Sequence, residues 1–136
     1  MKKLRILINP IAGHGFAPRI ASLVDQSSLL KNYEVDTQTT EYAGHAAELA
    51  RDAVNEGYDC VVAAGGDGTV NEIAAQLVHT STALAIIPAG SGNGLARHLG
   101  FSLKYPHTLE QIATAERSSI DTLSINNRFA VNVSGF

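Results

Sequence analysis

Within its first hundred residues the chain repeats one cycle four times: a short strand-like run, a turn, then apolar residues at helical spacing. Residues 4–9 (LRILIN) are apolar and stop at Asn9-Pro10. They are followed by Ile20, Leu23, Val24 and Leu30 at helical intervals, with Pro18 placed for a first turn. Tyr33, Val35, Thr37 and Thr39 then alternate with Glu34, Asp36, Gln38 and Thr40, a period of two that predicts a strand with one more polar face. Residues 43–56 are alanine-rich, with Ala46, Ala50, Ala53 and Val54 on one face and Gly57 as the expected helix stop. Residues 58–63 (YDCVVA) read as a buried strand, residues 69–78 as a helix, and residues 84–87 as a strand stopped by Pro88. Strands that alternate with helices must run parallel, joined by right-handed crossovers. The expected fold is therefore α/β, a doubly wound, mostly parallel Rossmann-like sheet.

The remaining sequence extends the pattern. A short helix is expected at 95–99, another from Pro106 to about 116, and a hairpin from strands 120–125 and 128–133 around Asn126-Asn127. The last residues, AVNVSGF, are strand-like, and the parent protein is expected to continue past Phe136.

Length and composition narrow the function classes. The 136 residues suffice for one domain, and 45% hydrophobic with 17% charged residues is the balance of a folded core. Ten Lys+Arg against thirteen Asp+Glu argue against nucleic-acid binding through a basic field and against a polybasic membrane anchor. The apolar runs are far shorter than the roughly 20 residues of a membrane helix, and the start does not read as a signal peptide. The single cysteine, Cys60, rules out an internal disulfide framework and a cysteine metal cluster. Together these fit a cytoplasmic setting.

Chemistry concentrates in three loops, each following a strand. The first is Asn9-Pro10-Ile11-Ala12-Gly13. The second is GGDGTVNE, comprising Gly65, Gly66, Asp67, Gly68, Thr69, Val70, Asn71 and Glu72. Its glycines let the backbone approach a bound group, and the helix that follows turns its free N–H groups and positive dipole end toward the same place. A carboxylate such as Asp67 beside phosphates is sensible when a divalent cation lies between them. The plainer reading of this segment is a tight turn capped by Asp67 and Thr69. The third loop, PAGSGNGLAR, offers Gly90, Ser91, Gly92 and Asn93, or else a helix entry with Asn93 as its cap. In an open α/β sheet all three converge on the carboxyl edge of the strands. Thr40 reads equally as a phosphate-facing hydroxyl or a helix cap, and His45 as a helix-start residue. Neither a Walker A loop nor a dinucleotide fingerprint is present.

Taken in order, Asn9-Pro10-x-x-Gly13, GGDGTVNE and PAGSGNGLAR resemble the catalytic domain of the diacylglycerol kinase and sphingosine kinase superfamily, over nearly all of the chain. The resemblance implies a phosphofructokinase- and NAD-kinase-like N-terminal domain and an ATP-dependent lipid kinase. It places ATP against Asn9, Pro10, Ile11, Ala12, Gly13, Thr40, the 65–72 loop, Gly90, Ser91, Gly92 and Asn93. It gives Asp67 a catalytic role near Mg²⁺-phosphate, and adds Asp121 to the metal network. It further implies a β-rich lipid-binding domain after residues 1–136, a lipid acceptor at the membrane surface, and a peripheral location. Gly94 stands where many bacterial diacylglycerol kinases carry aspartate. The GSGNG form is nearer the sphingosine and ceramide kinase branches, which leaves diacylglycerol and sphingoid acceptors open. The other readings are an NAD-kinase-like small-molecule kinase and a nucleotide-binding module without catalysis. On its own the 136-residue chain is expected to be inactive on lipids and to form a homodimer through its C-terminal edge strand.

Overall fold

A computed structural model describes residues 2–11, 16–27, 30–31 and 33–89. Seven elements follow in order: β1 (Lys2–Ile8), α1 (Phe16–Gln26), β2 (Tyr33–Thr39), α2 (His45–Asn55), β3 (Cys60–Gly65), α3 (Asp67–Leu77) and β4 (Ala83–Pro88). The later elements, including the hairpin and the edge strand expected to pair two copies, lie outside the described residues.

The four strands form one parallel sheet in the order β2-β1-β3-β4. This is the α/β sheet that the alternation predicts. The chain moves outward from β1 to β2, crosses back over β1 to reach β3, and continues to β4. Right-handed crossovers then set α1 against one face and α2 with α3 against the other, and α2 and α3 do pack on each other. The direction of winding reverses between β1 and β3, which is where ligands enter sheets of this kind.

Burial explains the elements. Every residue of β3 and β4 is buried, as is β1 from Leu4 to Ile8. Parallel strands covered on both faces need such continuous apolar runs. Val61, Val62, Ile86 and Ile87 meet Ile6, Leu7 and Ile8 in one core with Ile73 and Leu77 of α3. Each such side chain contributes about 1.5–3 kcal/mol on burial. The edge strand β2 alternates only loosely, because Asp36 is half-buried beside Arg5 of β1.

Gly57 ends α2 as expected. Its φ is 77°, its N–H donates to the Val54 carbonyl at 3.2 Å, and the Tyr58 N–H donates to Ala53 at 2.9 Å. That pair of bonds is a Schellman motif, which needs a left-handed residue where glycine sits without strain. Leu30 departs from expectation: α1 stops at Gln26, and Leu30 reaches the core from the turn before β2.

Candidate functional site

The carboxyl ends of the strands are tied together by backbone bonds that continue the ladders. The Asn9 N–H donates to Ala64 at 3.0 Å, Thr40 to Ile8 at 2.9 Å, and Ala89 to Gly65 at 2.9 Å. The segments that leave these strands are thereby held side by side.

Asn9 is the hinge of the first loop. Its Oδ1 accepts from the Ile11 N–H at 3.1 Å, which closes a local turn over Pro10. Its Nδ2 donates to Thr69 Oγ1 at 2.9 Å. Two of the three loops singled out in the sequence are therefore joined by a side-chain bond across 60 residues.

The second loop differs from a side-chain-capped turn. Gly66 is the N-cap of α3, with no side-chain cap bond, and Asp67 is already the first helical residue. Thr69 spends its hydroxyl on Asn9 from a buried position one turn into the helix. An anionic residue at the head of a helix is favoured by the dipole, and Asp67 is exposed there. A Cβ added to Gly65 would lie 3.0–3.2 Å from three atoms of the Thr69 side chain. Thr69 is pinned by Asn9 and cannot retreat, so Gly65→Ala is expected to destabilise the fold by about 1–3 kcal/mol through overpacking. Urea denaturation of the two forms measures the difference.

Between these elements and α2 lies a cleft of about 250 Å³, lined by Asn9, Pro10, Ile11, Thr40, Glu41, Tyr42, Ala43, Ala46, Thr69 and Glu72. Thr40 is buried four residues before the Gly44 N-cap of α2, so it does not cap that helix; its hydroxyl donates to the Ile8 carbonyl at 3.4 Å. The start of α2 is met instead by the Glu72 carboxylate of α3, which accepts from the Ala47 N–H at 3.4 Å. His45 opens α2, and its Nδ1 accepts from the Glu41 N–H at 2.9 Å. Its ring stacks on Tyr42, with centroids 4.3 Å apart and planes 13° from parallel. The Tyr42 hydroxyl donates to Glu48, which raises the phenol's pKa above its ordinary value, since ionisation would forfeit that bond.

Of the expected site residues, Asn9, Pro10, Ile11, Thr40, Thr69 and Glu72 line this one cleft. Gly65, Gly66, Asp67 and Gly68 form the adjoining turn and helix start. Asn71 is exposed on α3, while the Val70 side chain is fully buried in the core and can offer a ligand only backbone. Ala12, Gly13, Gly90, Ser91, Gly92, Asn93 and Asp121 lie outside the described residues. Sequence reasoning passed over Glu41, Tyr42, Ala43 and Ala46 as site residues; the signal available for the first three was their place directly after the end of a strand. Among the described residues no group of three or more histidine, cysteine or carboxylate side chains could hold a metal by itself. None of the described helices is long and apolar enough to cross a membrane.

The family model of the diacylglycerol kinase catalytic domain matches residues 3–125. The chain is 31% identical to a diacylglycerol kinase of Bacillus subtilis, over 99% of its own length and 46% of the relative's. It is 32% identical to a diacylglycerol kinase of Staphylococcus aureus strain JH9, over 97% of its length and 42% of the relative's. A crystal structure of a diacylglycerol kinase from Bacillus anthracis strain Sterne superposes with a TM-score of 0.70 at 28% identity, covering 83% of this chain and 39% of that one. The chain thus spans less than half the length of the relatives it matches.

Proposed function

From the premise that the chain belongs to the diacylglycerol kinase catalytic domain family, we propose that it is the nucleotide-binding half of an ATP-dependent lipid kinase. The observation that carries this reading is the Asn9–Thr69 hydrogen bond at 2.9 Å. It draws the first loop onto the start of α3, beside a turn where Gly66 leaves the backbone open to a ligand. The first N–H groups of any α-helix lack intrahelical partners, and the helix dipole favours an anion there. The phosphates of ATP belong at this helix start.

Asp67 stands at the same place and suits Mg²⁺. That ion takes one or two carboxylates and completes its shell with phosphate oxygens and water, so an exposed carboxylate at the head of a helix matches its needs without a protein cage. Bound there, Mg²⁺ would neutralise charge on the transferring phosphoryl group. The chain's own contribution is to hold the phosphates against fixed backbone dipoles, and phosphoryl transfer depends chiefly on such positioning and charge stabilisation. The acceptor is a lipid hydroxyl of the diacylglycerol or sphingoid type. A β-rich domain following this one supplies its site, and the protein works from the cytoplasmic side at the membrane surface.

The test is an assay of the natural protein that carries this chain. Labelled ATP, Mg²⁺ and mixed micelles of diacylglycerol or sphingosine are offered in parallel with NAD. Phosphorylated lipid is the expected product. Transfer to NAD in its place overturns the lipid reading, and an absence of ATP binding at millimolar concentration overturns the nucleotide site.

A further inference from the structure

Ile11, 88% exposed, and Tyr42, 56% exposed, are the large hydrophobic side chains that stand out in solvent among the described residues. Both line the same cleft, from two different strand-end segments. Isolated exposed apolar residues need no explanation, but a pair flanking a concave site at the ligand edge of a sheet does. Tyr42 is also held in place. His45 covers one ring face, and the hydroxyl is tied to Glu48. The outward ring surface is therefore presented in one orientation, with little side-chain freedom left to lose on contact with a ligand.

The charges around the cleft say which end of a nucleotide belongs there. Among the described residues its charged lining groups are Glu41 and Glu72, with no lysine or arginine. Two carboxylates repel phosphates and can accept from hydroxyl or amino groups. The volume, about 250 Å³, falls below the roughly 300–1,000 Å³ of clefts that hold a whole drug-sized ligand, and suits one end of a nucleotide. Most polar side chains of the lining already have partners. Asn9 is engaged with Thr69 and Ile11, Thr40 with Ile8, and Glu72 with Ala47. That leaves the Glu41 carboxylate to accept from an amino group, which adenine and guanine both carry.

We propose that Tyr42, with Ile11, is the platform on which the nucleobase of the phosphoryl donor stacks, so that the base is recognised by its flat face. This rests on the nucleotide-binding reading and deepens it. A stacked base is sensed by its area and polarisability, because every base has a π-face. The larger purines are held more firmly than pyrimidines, and adenine is barely distinguished from guanine.

The test measures binding of ATP, GTP, UTP and inorganic tripolyphosphate, with Mg²⁺, by calorimetry on the natural protein and its variants. Tyr42→Ala is expected to weaken ATP and GTP alike by roughly tenfold, the scale of losing one base–aromatic stack, while tripolyphosphate affinity stays unchanged. Tyr42→Phe keeps the ring but loses the tie to Glu48 that holds it in place, so its loss of ATP and GTP affinity should be real but smaller than that of Tyr42→Ala. Tyr42→Trp adds an indole at the platform, and the emission it contributes beyond that of the unmodified protein should be quenched by ATP and GTP and not by tripolyphosphate. Unchanged ATP affinity in Tyr42→Ala overturns the platform while leaving the nucleotide site standing. Equal loss of ATP and tripolyphosphate overturns it too, by showing a general disturbance of the site. Failure of the unmodified protein to bind ATP overturns both readings.

Discussion

Asp67→Asn is expected to leave the fold intact and to lower kcat for lipid phosphorylation by at least roughly 100-fold, the scale of removing one electrostatic contact made to the transition state. The fold should survive because Asp67 is exposed and Gly66, not Asp67, caps α3. The exchange keeps the shape and removes the charge. Asparagine would be a poorer partner for Mg²⁺, and the charge on the phosphoryl group would be less well neutralised. Steady-state kinetics over a range of Mg²⁺ concentrations, with circular dichroism as the control for folding, measures the effect. A kcat within twofold of the parent at saturating Mg²⁺ would remove Asp67 from the catalytic role.

The second large effect is on stability and lies at Arg5, whose alanine variant should unfold about 2–4 kcal/mol more easily, from the loss of several charge-assisted hydrogen bonds and of its packed stem. Arg5 is buried in the middle of β1. Its Nε donates to Asp36 at 2.8 Å, and its two Nη atoms donate to the Leu49 carbonyl at 3.3 Å, Glu56 at 3.4 Å and the Tyr58 hydroxyl at 3.3 Å. The guanidinium also lies 4.4 Å from the centre of the Tyr58 ring. One side chain therefore clamps β2, α2 and the turn that leads into β3 together. Burial pulls the guanidinium pKa down, but the Tyr58 hydroxyl and the Asp36 carboxylate outweigh it, and the net shift is upward. A raised cationic pKa means stability that is lost only as pH climbs through it. That lies beyond the physiological range, so the arginine's own titration adds no pH dependence there. Its partners should rank by exposure. Asp36→Ala strands a buried cation and should cost more than Glu56→Ala, which removes a half-exposed, longer contact of the kind that is worth less than about 1 kcal/mol. Urea denaturation of the three variants gives the ranking. A large loss in Arg5→Ala beside small, equal losses in the two carboxylate variants would show that the clamp is packing without electrostatics.

Much of this molecule follows from local pattern. Apolar runs with a period of two or none, set between segments of period 3.6, require a parallel sheet with crossovers, since each apolar face must be covered. Gly57 marked the end of α2 because only a residue at ease with positive φ continues a Schellman turn. The glycines at 65 and 66 marked a place where backbone must come close to something, and the three loops in their order pointed to the family. Boundaries were less legible: α3 begins at Asp67 and not at Thr69, because a helix start depends on where the preceding strand releases the chain.

Tertiary structure alone decided which side chains share work. Nothing near Asn9 in the sequence indicates that its amide reaches Thr69, nor does the neighbourhood of Glu72 reveal that its carboxylate serves the first turn of α2. Arg5 reads as an interruption of an apolar strand until the register sets it opposite Asp36 and the crossover lays α2 across it. Tyr42 looks like an ordinary loop residue until Ile11 arrives at the same cleft from another strand. Periodicity is a property of neighbours along the chain, and hydrophobic burial acts on it residue by residue. Hydrogen bonds and stacking require two groups at one distance and angle, and for residues 30 or 60 positions apart only the packed sheet supplies that geometry.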